Sequence, residues 1–162
     1  MIDLGRLLRA LADHQVDFIV VGGIAAATHG SAKVTYDLDI VYSREPQDIE
    51  RLVQALAPLN PYLRDAPAGL PFSWDAKTIQ SGLNFTLTTA AGALDLLGEV
   101  SGGGTFADLL PHTVSFGVFG IQYRCVTLEK LILLKRAAGR PRDLDAIAEL
   151  EALLEERDRR QP

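Results

Sequence analysis

The stretch Val20-Val21-Gly22-Gly23-Ile24-Ala25-Ala26-Ala27-Thr28-His29-Gly30-Ser31-Ala32-Lys33-Val34-Thr35-Tyr36-Asp37-Leu38-Asp39-Ile40 decides how this chain is read. Asp37-Leu38-Asp39-Ile40 alternates acid and aliphatic residue, the period of a strand. Both carboxylates then point to one face, roughly 6.8 Å apart at a rise of ~3.4 Å per residue. Leu38 and Ile40 anchor the other face in a core. Two acids on one face repel unless a cation or solvent lies between them. Magnesium suits such a pair, because it takes a few carboxylates together with waters and phosphates. Taken alone, the Asp-x-Asp also fits an exposed edge strand, and Gly22-Gly23 alone fits a tight turn. Placed at the end of a strand and the start of a helix, the two glycines let backbone N–H groups approach a phosphate closely. No Gly-Lys-Ser/Thr follows and G-x-G-x-x-G is absent, so neither a Walker loop nor a dinucleotide fingerprint is present.

Towards the N-terminus, Leu4, Leu7, Leu8 and Leu11 form one apolar helical stripe. Asp17 to Val21 is a buried, β-branched strand, and Ile24 to Thr28 a short helix. Asp37 to Tyr42 is the next strand. Pro46 opens a helix to about Ala57, with Ile49, Leu52, Val53 and Leu56 inward. Pro58, Pro61 and Pro67 mark Pro58 to Gly69 as loop. Leu83 to Thr89 and Ala93 to Val100 are strands around Ala90-Ala91-Gly92, and Ser101 to Thr105 is a loop. Val114 to Phe119 and Ile121 to Val126 form a hairpin at Gly120. Thr127 caps a helix over Leu128 to Ala138. Gly139 and Pro141 interrupt it before a last helix from Arg142 to about Arg157. The expected class is α+β: a mixed sheet with helices on one side and a C-terminal helical pair. Residues 1–126 form the core and 127–162 a helical segment packed on it, in one compact domain.

The 162 residues suit one domain, and 48% hydrophobic with 23% charged residues is a globular composition. With 16 basic and 21 acidic residues the net charge is −5, which argues against a sequence-blind nucleic-acid coat. A single cysteine, Cys125, excludes an internal disulfide and a thiolate zinc cluster, and reads as core. No apolar run reaches membrane-spanning length, and the N-terminal flank is wrong for a signal peptide, so a cytoplasmic location is expected. His14, His29 and His112 lack ligand spacing. Ser31 and Thr35 have no G-x-S-x-G context. Trp74 and Phe72 read as core packing before cleft lining.

Strand, Gly-Gly, short helix, then Asp-hydrophobic-Asp-hydrophobic resembles the nucleotidyltransferase superfamily, whose fold includes DNA polymerase beta. Gly22 and Gly23 fall on the family's glycine pair, and Asp37 and Asp39 on its metal-binding acids. The Gly30-Ser31-Ala32-Lys33-Val34-Thr35 linker is similar to that of single-domain bacterial members, including abortive-infection and toxin–antitoxin proteins. Many of those carry Arg at the position of Lys33; lysine keeps the charge without bidentate phosphate geometry. The family's third acid falls on Asp95, flanked by leucines, with Glu99 as the rival position. The segment 130–143 holds five basic residues and one acid, and 143–158 holds seven acids and one arginine. Its Lys…Arg-Pro-Arg-Asp-Leu-Asp pattern is similar to the final helices of the abortive-infection type, which implies that Lys135, Arg142 and Asp143 help form a nucleotide pocket.

The resemblance implies a catalytic and metal-binding triad of Asp37, Asp39 and Asp95. It implies two Mg²⁺ ions, with Mn²⁺ as substitute, and a nucleoside triphosphate bound at Gly22, Gly23, Ser31, Lys33, Thr35, Lys135 and Arg142. The reaction it implies is transfer of a nucleoside monophosphate to a hydroxyl of RNA, protein or a small molecule, with release of pyrophosphate. The alternative is an inactive binding module of the same fold, such as the partner protein of a toxin–antitoxin pair. No membrane partner is expected.

Overall fold

The computed structural model describes residues 2–161. Its elements run α1 (Leu4–Asp13), β1 (Phe18–Val21), α2 (Gly22–Thr28), β2 (Asp37–Tyr42), α3 (Pro46–Leu56), β3 (Tyr62–Leu63) and α4 (Ala76–Ser81). They continue with β4 (Asn84–Thr89), β5 (Gly92–Leu97), α5 (Phe106–Leu109), β6 (Thr113–Val118), β7 (Ile121–Val126), α6 (Leu128–Ala138) and α7 (Pro141–Arg160). The fold is α+β, with one seven-stranded mixed sheet in the order β3-β4-β5-β2-β1-β7-β6. β2 runs parallel to β5, and β1 parallel to β7; β1 and β2 are antiparallel neighbours at the centre.

Local patterns account for most of these elements. Leu7, Leu8 and Leu11 of α1 are fully buried, as a helical stripe requires. Leu38 and Ile40 are also fully buried, whereas Asp37 and Asp39 on the opposite face are only partly so. Thr127 accepts from the Lys130 N–H, and Gly139 closes α6 in the left-handed conformation. Pro141 takes the first position of α7.

The structure departs from the sequence-based expectations at four places. Pro58–Gly69 is not all loop: a 3₁₀ turn covers Ala57–Leu59, and β3 pairs with β4 at Tyr62↔Thr88 and Leu63↔Leu87. The strand expected to reach Val100 ends at Leu97, because the Gly98 N–H turns aside to Asn84 Oδ1 at 2.8 Å. α4 and α5 were not anticipated, although both carry side-chain caps. Asp75 accepts from Thr78 N–H, and Thr105 forms a capping box with Asp108.

Trp74 and Phe72 pack against the core, with Trp74 Nε1 donating to the Val53 carbonyl at 2.9 Å. His29 Nε2 donates to the Val126 carbonyl at 2.8 Å, and His14 bonds the Ala10 carbonyl, so both serve the backbone. Cys125 is buried, and burial pushes its thiol up to about 12. Among the described residues no helix is long and apolar enough to cross a membrane.

Candidate active site

Parallel pairing of β2 with β5 sets Asp39 directly opposite Asp95. Asp37 lies two residues before Asp39 on the same face of β2. Oxygen atoms of the three carboxylates lie within 4.8 Å of one another. Asp39 is the innermost, and its Oδ1 is buried without a hydrogen-bond partner among the described residues. Gly22 follows β1 and opens α2 against this acid, in the left-handed conformation at φ 67°. A Cβ at Gly22 would overlap Asp39 Oδ2. Gly23 is similarly tight, since its Cβ would stand 2.6 Å from Thr35 Oγ1. The glycine pair is therefore required by close packing of the turn on the residues of β2 and its approach. Hard oxygen donors, one of them buried and unpartnered, fit a hard divalent cation.

A cleft of about 330 Å³ opens beside the acids. It gathers Gly23, Ser31, Lys33 and Thr35 from the α2–β2 segment, Asp37 and Asp39 from β2, and Lys135 and Arg142 from the C-terminal helices. Gly22 lies instead on an adjoining hollow of about 270 Å³, whose wall includes Asp39, Lys135 and the rival acid Glu99. Asp95 stands across from Asp39 and does not line the first cleft. The Ser31 hydroxyl donates to Glu149 at 2.5 Å, and Thr35 Oγ1 donates to the Asp37 carbonyl at 3.3 Å. Both hydroxyls thus already help order the segment that leads into β2.

Asp143 draws the cations inward. Its side chain is 2% exposed and pairs with Lys135 Nζ at 3.5 Å and Arg140 Nε at 2.6 Å. Burial alone would raise its pKa, yet hydrogen bonds and charge from Arg140, with attraction to Lys135, hold it below the ordinary carboxylate value. Arg142 makes no ion pair among the described residues and faces the cleft.

Two residues that line the cleft, Arg140 and Glu149, and one that reaches the acids, Arg64, escaped the sequence reading. Arg140 was passed over for Arg142, yet it is the residue bonded to Asp143. Glu149 lies on the acidic α7, where the i+7 step from Arg142 was the available signal. Arg64 follows β3 and reaches the acids from the sheet edge: its Nη2 donates to Asp95 Oδ1 at 2.8 Å, and its Nη1 lies 4.0 Å from Asp37 Oδ2. No periodicity around Arg64 announces this, since the stretch reads as proline-punctuated loop.

Burial pushes the pKa of Asp39 up from 3.8 to about 7, aided by repulsion from Asp95 and then Asp37 and opposed by Lys135. The folded protein therefore holds a proton that the unfolded chain releases near pH 4. By linkage, its contribution to stability is present at low pH and is lost as pH rises from about 4 to about 7. Metal-free protein is expected to melt at a lower temperature at pH 8 than at pH 5.5, through this group. Added divalent cation is expected to raise the melting temperature more at pH 8, where it meets no bound proton. Calorimetry of chelator-treated protein checks both signs.

A central mixed sheet with a strand–Gly-Gly–helix turn facing paired acids on β2 and a third acid on parallel β5 defines a nucleotidyltransferase-type fold. The whole chain is similar to a crystal structure of an inferred nucleotidyltransferase from Thermotoga maritima, with a TM-score of 0.56 over 96% of each chain at 15% identity. By sequence, no family model and no curated protein matches the chain.

Proposed function

We propose that this protein is a metal-dependent nucleotidyltransferase that moves a nucleoside monophosphate from a nucleoside triphosphate to an acceptor hydroxyl. The observation that carries this reading is the convergence of Asp37, Asp39 and Asp95 beside the Gly22-Gly23 turn. Magnesium, or manganese in its place, when bound by these acids supplies charge neutralisation at the reacting phosphate and acidifies the acceptor hydroxyl. Lys33, Lys135 and Arg142 bind the phosphates in the cleft. Ser31 and Thr35 order the approach to β2, and each offers an oxygen to the same ligand. Asp95 takes the hydroxyl proton. The acceptor oxygen bonds to the α-phosphorus as the bridging bond to the β-phosphate breaks, and pyrophosphate leaves.

In this reading residues 1–126 supply the three acids and Lys33, and 127–162 add Lys135 and Arg142 across the cleft. The Lys135–Asp143–Arg140 cluster favours the abortive-infection and toxin–antitoxin type, acting in the cytoplasm on RNA or protein. One observation favours the second reading, a binding module without transfer activity: Arg64 already pairs with the third acid. Magnesium-dependent binding of the four labelled nucleoside triphosphates to wild type and to Asp37→Asn/Asp39→Asn tests the proposal. Binding by wild type, lost in the double variant, is the expected result. Equal binding by both proteins would remove the acids from the site.

A further inference from the structure

We infer that Arg64 is a built-in counter-cation that sets the affinity of the three-acid cluster for divalent metal. The inference rests on the metal-binding reading of Asp37, Asp39 and Asp95 given above. Arg64 is not part of the sequence pattern that points to the acids. It enters from the sheet edge, just beyond β3, and crosses β4 to reach them. Its Nη2 donates to both the Leu87 carbonyl at 2.6 Å and Asp95 Oδ1 at 2.8 Å, and its Nη1 faces Asp37 Oδ2 at 4.0 Å. The side chain is 23% exposed, and its Nε is buried with no acceptor among the described residues. A guanidinium is always charged. Burying one with an unsatisfied nitrogen is costly unless the charge itself is compensated, and here Asp95 and Asp37 compensate it.

Two of the three carboxylates thus already share a permanent positive charge. A divalent ion bound by the cluster meets that charge at short range. Even at the dielectric of bulk water, a unit charge about 6 Å from a divalent ion changes its affinity by about tenfold. Arg64 therefore keeps the site weak for free metal and offsets part of the charge of Asp95 and Asp37. A residue that merely propped Asp95 in place would act with the opposite sign: its loss would loosen a ligand and weaken metal binding.

Direct Mn²⁺ binding, followed by electron paramagnetic resonance on protein without nucleotide, separates the two roles. The proteins compared are wild type, Arg64→Gln, Arg64→Met, Arg64→Lys and Asp37→Asn/Asp39→Asn. Both neutral variants are expected to bind Mn²⁺ about tenfold more tightly than wild type, and Arg64→Lys to stay close to wild type. The glutamine can still donate to the Leu87 carbonyl and the methionine keeps an apolar stem, so the result stands on whichever folds as wild type does by circular dichroism. Unchanged or weaker binding in a folded neutral variant, with wild type above the double Asp variant, overturns the role of Arg64 and leaves the metal site standing. If neither wild type nor a neutral variant exceeds the double Asp variant, the metal-site reading itself fails, and the inference with it.

Discussion

Asp39→Asn is expected to reduce nucleotidyl transfer by about a thousandfold while raising the melting temperature of metal-free protein at pH 8. The first effect follows from the charge. Metal-assisted neutralisation of a reacting phosphate is worth several kcal/mol, and each 1.36 kcal/mol is a factor of ten. The second follows from the setting of the acid. Asp39 is half-buried, its Oδ1 is buried and unpartnered among the described residues, and Asp95 and Asp37 face it, so its ionised form is disfavoured. Asparagine keeps the shape and removes the repulsion. A gain of about 1 kcal/mol corresponds to roughly 2–4 °C in a chain of this size. Asp95→Asn should lose transfer as well but without the thermal gain, because it gives up the ion pair with Arg64. Transfer of label from a nucleoside triphosphate to a pool of RNA and protein acceptors, with melting curves on the same samples, measures both quantities. Near-wild-type transfer by Asp39→Asn would exclude it from the reaction.

Gly22→Ala should damage stability and transfer together. The residue lies in the left-handed region, where a side chain costs roughly 1–2 kcal/mol. The added Cβ also overlaps the Asp39 carboxylate, so the turn or the acid must move. A loss of about 2–3 kcal/mol in urea denaturation is expected, together with a fall in transfer approaching that of Asp39→Asn. Gly120→Ala is the control. Its φ of 75° imposes comparable backbone strain, but nothing lies within 4 Å of the added Cβ. It should cost only the conformational part and leave transfer unchanged. Equal behaviour of the two variants would show that strain alone matters and that the packing of Gly22 on Asp39 does not.

How far the sequence could be read depends on whether the deciding interaction is local. The limits of β2, the cap at Thr127, the stop at Gly139 and the stripe of α1 were legible because each depends on residues within about one turn or one strand. Asp37 and Asp39 were legible for the same reason, since their shared face follows from their spacing. Asp95 could be proposed only through the family pattern and the leucines around it. Its register opposite Asp39 depends on β5 pairing parallel with β2, which nothing in either strand encodes alone. β3 was missed because two residues carry no periodicity and prolines surround them.

Sequence patterns sufficed for the α+β class, the strand–Gly-Gly–helix turn and the pair of acids on one strand face. These are consequences of backbone geometry acting over a few residues. The packed fold alone brought Arg64, 31 residues before Asp95 in the chain, into contact with it. It alone, too, drew Lys135 and Arg140 together through buried Asp143 beside Asp39. Those contacts join charges carried on separate elements. Sheet order and helix packing set their distances, and Coulombic attraction, steep with distance and strengthened by burial, then fixes the pairs.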